Sequence, residues 1–453
     1  MIRLGKEVEL NTLIIKKLIE IFKTQELPRL NKLYKYYIAK NTAIEQKTVG
    51  DQNLPNNKIA HPFATYITNT LAGYFMGDGV TYTSVSEDSC LDELKMILEY
   101  SDEQDENMEL AKSASIFGKG IELLWIDEEG NIRIKEIDPR EMILVYNDTL
   151  EDELLYGIRF YPSYDIVKDQ RFYKVEIYTQ KEVISYKADE LLANFTLIET
   201  TPHYFDAVPV VVYQNNEEEM GDSEPVISLI DAYDKMESDS LDDFDYFVDA
   251  YLVLSGLVAD SEDVAEMKKN RVILLDENSE AKWLTKSGDS QTTESVKTRI
   301  ASDIHKFAQV PDMTDESFAG NASGVAIKYK TMPMENLVAV KERKFKKGLQ
   351  KRIELIFTIL NLKGGDNFDW RCIDIVFTRN LPANDTEVAN MVSTLEGIVS
   401  DETLLAQLSF VENPLDELER IKQEKEENVA AFYSNVQNPF EAEEEDVEDG
   451  KQE

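Results

Sequence analysis

The residues with the most obvious chemical potential are aspartates that recur at helical spacing between positions 231 and 249. They are Asp231, Asp234, Asp239, Asp242, Asp243, Asp245 and Asp249. Clustered carboxylates can hold two metal ions for hydrolysis of nucleic acid, so the cluster Asp242–Asp245 is a candidate nuclease site. Such sites usually take their carboxylates from separate elements, whereas a row along one helix face is normally solvated. We therefore expect a solvated acidic face and no metal site.

Other sequence patterns that support catalysis are missing. His61, His203 and His305 are scattered, without the spacing of metal ligands, so each is expected to be structural. The single Lys119 between two glycines does not make a phosphate-binding loop, because the GxxxxGK[ST] spacing is absent. No nucleophile elbow, dinucleotide fingerprint or EF-hand loop occurs. The sequence predicts a protein that is not an enzyme and needs no cofactor.

Length and composition indicate how many domains the protein can form and in which compartment it folds. A chain of 453 residues, 42% of them hydrophobic, is long enough for two or more domains with sizeable cores. No window approaches a membrane span. Cys90 and Cys372 are far apart in sequence and have no histidine clusters beside them. This usage favours a reducing cytosol and no disulfide framework.

The stretch from Ser290 to Leu360 changes character twice. Its first part has apolar residues about four apart, which predicts a helix opened by two threonines and stopped near Pro311: Val296, Ile300, Ile304 and Phe307. A loop of small and polar residues follows, from Asp315 to Gly324. A second helix begins at Val325 and is strongly basic, with Lys328, Lys330, Lys341, Arg343, Lys344, Lys346, Lys347, Lys351 and Arg352. A loop between two long helices can reach a passing object, although an ordinary helix-loop-helix with a solvated basic face has the same pattern.

The remaining elements surround this stretch. Residues 1–222 read as a mixed α/β region, and one long helix is predicted from Glu224 to Leu254. Further along, the sequence predicts a hairpin of Arg271–Leu275 and Lys282–Thr285, a strand Arg371–Phe377 that returns to the first region, and three short helices within Asn384–Leu408 and Pro414–Phe432. The acidic end, Glu441–Glu453, cannot bury apolar surface and is expected to be disordered.

Three collinear segments resemble one protein family. They are PNNKIAHPFATYITNTLAGYFMGDGVTY near the start; HKFAQVPDMTDESFAGNASGVAIKYK with MENLVAVKERKFKKGLQKRIELIF; and LPANDTEVANMVSTLEGIVSDETLLAQLSFVENPLDELERI near the end. Together they resemble the portal (head-to-tail connector) proteins of long-tailed double-stranded DNA bacteriophages of Gram-positive hosts. One departure is local: after Tyr36-Tyr37 the family has a glycine turn, and this chain has Ile38-Ala39-Lys40-Asn41.

The resemblance implies an α+β portal fold with a mixed α/β wing, a long-helix stem, a small α/β clip and a helical crown, assembled as a ring. It divides the chain into 1–222 (wing), 223–255 (stem helix), 256–289 (clip), 290–312 (stem helix), 313–324 (tunnel loop), 325–380 (long basic helix and strand returning to the wing), 381–433 (crown) and 434–453 (disordered acidic tail).

The implied function is a dodecameric channel at one capsid vertex, through which double-stranded DNA is packaged and ejected. The implied partners are other copies of the chain, the terminase, later the head-completion and tail proteins, and the coat and scaffolding proteins. The implied location is the virion, with the host cytoplasm during assembly. Two alternatives remain, a metal-dependent nuclease and an acidic structural adaptor that forms no ring.

Site residues follow from the same resemblance. The tunnel loop would face DNA with Asp315, Glu316, Ser317, Phe318, Asn321 and Ser323. The clip would dock the terminase through Arg271, Glu280, Lys282 and Trp283. Lys328 and Lys330 are candidates for contact with DNA or with another subunit, while the rest of the basic helix is expected to pair with carboxylates of the wing or of a neighbouring subunit.

The net charge of −40 bears on that function. A conventional DNA-binding protein gathers Lys and Arg to neutralise phosphates, which this chain as a whole cannot do. Two unit charges about 10 Å apart in water interact by only about 0.4 kcal/mol, and salt screens them over about 8 Å. Many weakly repelling carboxylates would prevent lasting contact with DNA. The acidity is therefore compatible with a DNA conduit, and equally with a simple role in solubility.

Overall fold

The computed structural model describes residues 2–50, 54–84, 90–248, 251–255, 280–284, 290–314, 324–364, 368–379, 385–408, 411, 414 and 417–425. The chain forms two compact units, Met1–Asn380 and Leu381–Glu453. The predicted α+β class is confirmed, since helices and antiparallel sheets alternate through the first unit. No helix in the described ranges has the length and apolar character needed to span a bilayer.

The described part of the first 117 residues forms six helices: α1 Thr12–Gln25, α2 Leu27–Tyr37, α3 Thr42–Glu45, α4 Phe63–Met76, α5 Cys90–Tyr100 and α6 Glu103–Phe117. Asn11 caps α1, because its side chain accepts a hydrogen bond from the Ile14 amide. Helix α6 ends at Gly118, whose φ is +91° and where a Cβ would lie 1.9 Å from the Glu219 carbonyl oxygen. Only glycine fits this close backbone approach.

The strands of the first unit form two larger sheets. The bounds are β1 Ile2–Leu4, β2 Val80–Ser84, β3 Lys119–Ile126, β4 Ile132–Ile137, β5 Met142–Asn147, β6 Leu154–Asp165, β7 Gln170–Tyr178, β8 Glu182–Ala188, β9 Phe195–Pro202 and β10 Val210–Gln214. A six-stranded sheet has the order β1-β5-β6-β7-β8-β9, and a three-stranded sheet has the order β10-β3-β4. Only the β1–β5 pair in these two sheets is parallel. A cluster that includes Ile121, Met142 and Val210 packs residues of both sheets together.

The long helix predicted to end at Leu254 is shorter than expected. A 3₁₀ turn, Glu224–Val226, leads into α7, Ile227–Val248, and the next described residues form strand β11, Tyr251–Ser255. This strand pairs antiparallel with β12, Glu280–Leu284. The helix prediction is therefore wrong for its last residues, because their apolar run enters a sheet ladder.

The strand predicted at Lys282–Thr285 is present as β12, but its observed partner is β11. The partner predicted for it, Arg271–Leu275, lies outside the described residues. Helix α8, Ser290–Ala308, follows and closely matches the predicted amphipathic helix.

The basic segment forms one helix, α9, from Gly324 to Gly364. Pro333 lies inside it. Because proline has no amide hydrogen, it cannot donate the usual bond to the carbonyl of Tyr329. After a 3₁₀ turn at Trp370–Cys372, strand β13, Ile373–Phe377, pairs antiparallel with β2. The predicted return of this strand to the first region is confirmed.

The second unit contains short helices: α10 Asp385–Leu395, α11 Asp401–Leu405 and a helical stretch at 417–425. Ser400 caps α11 by accepting a hydrogen bond from the Thr403 amide. Leu404 is its buried apolar residue. The predicted acidic tail, 434–453, lies outside the described residues.

A fully buried arginine joins α9 to the rest of the first unit. Arg352 is 0% exposed. It donates from Nε to Glu122 Oε2 at 2.9 Å, from Nη1 to Glu103 Oε1 at 2.9 Å and from Nη2 to Asn107 Oδ1 at 2.8 Å. Tyr213 also donates to Glu122, at 2.8 Å. Burial raises the pKa of Tyr213 far above its usual value, so the phenol keeps its proton and remains a donor.

We predict that Arg352→Met destabilises the protein by about 3–5 kcal/mol, because the substitution leaves Glu103 and Glu122 buried without their cation. Urea denaturation followed by circular dichroism measures the change. Arg343→Met is the matched control, since Arg343 lies exposed on the same helix, and its effect should stay within about 0.5 kcal/mol. Equal losses in the two variants would contradict a structural role for the buried cluster.

Candidate functional site

Helices α7 and α8 pack against each other. Strand β11 follows α7, strand β12 precedes α8, and the two strands pair antiparallel, so the helices form a hairpin-like pair. Lys297 of α8 is buried and lies 3.2 Å from Glu237 of α7 and 3.0 Å from Glu294. Ile304 is 0% exposed. The pair is thus held by a shielded ion pair as well as by apolar contact.

This helix pair also carries exposed apolar side chains. Val296 and Phe307 belong to the predicted apolar face of α8, yet they are 41% and 56% exposed. On α7, Phe244 is 65% exposed. Scattered apolar residues on a surface are ordinary, but several on one helix pair indicate a surface that another molecule could cover.

The acidic row on α7 is only partly the solvated face that the sequence predicted. Tyr36 donates to Asp231 at 2.6 Å. Asp234 has a fully buried side chain, and it accepts from Asn41 Nδ2 at 2.8 Å and from the backbone and ring nitrogens of His61 at 3.0 and 2.9 Å. Tyr36 belongs to α2, and the other two partners lie in the segment between α2 and α4.

The next turns of α7 repeat this arrangement. Asp242 accepts from Lys47 at 2.5 Å and from the Asn57 amide at 2.6 Å, and Asp239 contacts Lys47 at 2.8 Å. Asp245 accepts from Asn57 Nδ2 at 2.7 Å. Burial alone would raise the pKa of Asp242, but the hydrogen bonds from Lys47 and Asn57 outweigh it and lower that pKa.

The row therefore fastens residues 36–61 onto α7 and does not collect a metal ion. In the ranges that the structure describes, no group of three or more acidic, histidine or cysteine side chains is arranged to hold one. Asp239, Asp243 and Asp245 are exposed, as the sequence predicted. The expectation of solvated aspartates was wrong for Asp231, Asp234 and Asp242, because their partners lie well over a hundred residues away in the sequence.

The chain between α8 and α9 is fixed up to its last described residue on the α8 side. The Tyr66 hydroxyl donates to the Pro311 carbonyl at 2.9 Å and accepts from the Met313 amide at 3.0 Å. Asp312 accepts from the Thr314 amide at 2.9 Å and from its hydroxyl at 2.6 Å, and these bonds lower the pKa of Asp312. The predicted tunnel-loop residues, Asp315, Glu316, Ser317, Phe318, Asn321 and Ser323, lie outside the described residues.

Several basic side chains on α9 pair with carboxylates of the same chain. The pairs are Lys341–Asp222, Lys344–Glu217, Lys346–Asp374, Lys351–Glu354 and Arg352 with Glu103 and Glu122. This agrees with the prediction that the basic helix serves pairing with residues 1–222, because four of those acids lie there. Lys328 is exposed, and Lys330 lines a groove with His305, Lys306 and Asp312.

Three of the four residues predicted to dock the terminase lie on a strand that the structure describes. Glu280, Lys282 and Trp283 belong to β12, where Lys282 is in register with Val253 of β11. Arg271 lies outside the described residues. These three positions lie on one strand, which pairs with β11, the next described element after α7 in the sequence.

Sequence reasoning missed the residues that hold this region together. Asn57, His61 and Tyr66 fasten the segment around α4 to α7 and to the end of α8. All three lie in the quoted segment Pro55–Tyr82. The family resemblance therefore included this segment, but no local sequence pattern predicted that these three side chains would form the contacts.

Comparison with known proteins gives one consistent family. A family model described as "Phage portal protein, SPP1 Gp6-like" matches residues 15–431. The portal protein of Bacillus phage SPP1 is 27% identical over 450 residues, covering 93% of this chain and 88% of that protein. The portal protein of Clostridium phage phiCD119 is 26% identical over 439 residues, covering 89% of this chain and 94% of that protein.

We predict that Asp234→Ala destabilises the protein by about 1–3 kcal/mol, because it leaves the buried amide of Asn41 and the backbone amide of His61 without an acceptor. Lys235→Ala is the control, since the neighbouring Lys235 is exposed on the same helix. Urea denaturation compares the two variants. If Asp234→Ala were as stable as the control, the acidic row would not be the attachment of residues 36–61.

Proposed function

This chain belongs to the SPP1 Gp6-like family of phage portal proteins, and we propose that its copies close into a dodecameric ring around a channel for double-stranded DNA. As a portal protein it is a structural component of the virion, so the prediction that it is not an enzyme is confirmed by its family. The nuclease alternative is wrong for the same reason, and Asp242 and Asp245 are bonded to Asn57.

The observation that carries the proposal is the extent of the similarity. The family model spans the described elements from the first turn of α1 to beyond α11. Each portal relative is matched over at least 88% of its own length. The similarity therefore supports assigning to this chain a role that needs the whole protein, such as channel formation.

Ring closure needs a heterologous contact, in which one surface of a subunit covers a different surface of the next. The exposed apolar residues on α7 and α8, which include Phe244 and Phe307, support a place for this contact on the helix pair. We assign α7 and α8 to the stem, residues 1–222 to the wing and 381–433 to the crown.

The charge distribution supports passage of DNA without lasting attachment. The net charge is −40, and the lysines of α9 in contact with Asp222, Glu217 and Asp374 are already paired. A protein that neutralises few phosphates releases few counterions and binds DNA weakly. Lys328, exposed near the start of α9, is the basic side chain we assign to transient contact with DNA, and Lys330 is assigned to subunit contact or DNA.

We assign the tunnel loop to residues 313–324, between α8 and α9. The bonds of Tyr66 to Pro311 and Met313 fix where the loop begins. The loop carries polar side chains and Phe318. In a ring, these residues would then form one collar around the duplex.

The clip, residues 256–289, is the assigned docking surface for the terminase and later for the head-completion proteins. Its support is the position of β12 at the end of a long helix pair. Coat and scaffolding proteins are the further partners that a portal vertex requires.

We predict that deleting Phe318–Ser323 abolishes DNA packaging while the protein still forms rings by native mass measurement and negative-stain imaging. The physical reason is that the loop touches DNA and does not hold subunits together. Replacing the same residues with a glycine-serine linker of equal length separates loop length from side-chain identity. Normal packaging by the deletion variant would show that the loop is not needed for packaging. A wild-type protein that is monomeric, and that also fails to assemble beside its coat and scaffolding proteins, would favour the alternative of an acidic adaptor.

We predict that Glu280→Lys and Lys282→Glu each lower stimulation of the terminase ATPase several-fold without dissolving the ring. Reversed charges at a docking surface act mainly on encounter and register between partners. Lys168→Glu, in the turn between β6 and β7, is the control for an equal change of charge elsewhere. Stimulation unchanged in both clip variants would place the docking surface elsewhere.

A further inference from the structure

The chain's two cysteines meet in space. Cys90 and Cys372 are 282 positions apart, yet their Sγ atoms lie 3.6 Å from each other. Neither is in a disulfide. The composition alone favoured unrelated cysteines in a reducing compartment. The fold instead produces a dithiol whose sulfurs need to approach by only about 1.6 Å to reach the bond length of a disulfide.

The topology explains why the pair forms. Strand β13 pairs antiparallel with β2, and Ile373 is in register with Ser84. Cys372 immediately precedes Ile373, while Cys90 begins α5 a few residues after Ser84. Both cysteines therefore lie at the same end of the two-stranded sheet. The strand register thus brings the backbone of Cys372 to the end of β2 from which the chain continues to Cys90.

The two sulfurs differ in access. Cys90 is 1% exposed, whereas Cys372 is partly exposed. A soluble reagent can therefore reach Cys372 first, and Cys90 is positioned as the resolving thiol. This division of roles is the usual arrangement for thiol–disulfide exchange through a mixed disulfide.

We propose that Cys90 and Cys372 are a redox modification site that is a dithiol inside the host cell and an intramolecular disulfide in the released particle. The co-reactant is a low-molecular-weight disulfide. The Cys372 thiolate attacks it, forming a mixed disulfide and releasing one small thiol. The Cys90 thiolate then displaces the second small thiol and forms the Cys90–Cys372 bond. Two protein thiols are oxidised, one small disulfide is reduced to two thiols, and the protons of the protein thiols are taken up by the released thiolates.

The bond would fasten the strand that follows α9 to the start of α5. Everything between the two cysteines, including α7, α8 and α9, would lie within one covalently closed loop. Closing a long loop restricts the unfolded chain more than the folded one. A virion component leaves a reducing cytosol for surroundings in which disulfides persist, so the added restraint would appear when the particle must survive outside the cell.

Incubating the purified full-length protein with oxidised glutathione tests the chemistry. Peptide mapping under alkylating conditions should recover a single cross-linked pair containing Cys90 and Cys372, and the thermal midpoint should rise by several degrees and fall back after reduction. Cys90→Ser and Cys372→Ser should each abolish the cross-link and the shift. Recovery of two unmodified thiols, of stable glutathione adducts, or of disulfides between chains would overturn the proposal.

Particles supply the second test. Alkylation at the moment of lysis should label both cysteines in the intracellular protein, and the same treatment of released particles should find the disulfide. Thiols in both populations would refute the redox change, and a disulfide already present inside cells would refute the proposed timing.

Discussion

The cluster around Arg352 is the constraint on which the first unit depends. Its guanidinium reaches Glu122 on β3 and both Glu103 and Asn107 on α6, so one side chain ties α9 to two other elements. Tyr82 of β2 donates to the same Glu103. Removing two carboxylates and a guanidinium from water costs several kcal/mol per ion unless each is bonded. Sliding α9 against the rest of the first unit would leave these buried charges without their partners.

Other contacts of the first unit involve the two ends of α9 and the acidic row of α7. With α9 fixed, its end delivers β13 to β2, and its start lies beside the end of α8 through the groove of Lys330 and His305. The acidic row of α7 then fastens residues 36–61 to the same assembly through Asp234 and Asp242. In the sequence, these charged residues could be explained by solubility alone. In the structure, they form hydrogen bonds and ion pairs that attach one element of the first unit to another.

The sequence allowed prediction of elements whose pattern is local. The basic helix was predicted from Val325 and begins at Gly324, and the strand expected at 371–377 is β13. The end of α7 could not be predicted, because the apolar run Tyr251–Leu254 suits a helix or a strand equally well and only its pairing with β12 decides. The burial of Asp234 and the contact between Cys90 and Cys372 could not be predicted either, since both depend on partners distant in sequence. For the site, family resemblance supplied the roles, and local chemistry supplied none.

Pro333 gives α9 two mechanically different parts. Arg352 lies nineteen residues beyond it, a distance of about 28 Å along a helix, and holds the far part rigidly. The near part, from Gly324 to Met332, joins it across a step where one backbone hydrogen bond is missing. Bending at such a step costs less than elsewhere in a helix. A force on the leading turns would therefore bend the helix at Pro333, and less of that force would reach the contacts of Arg352.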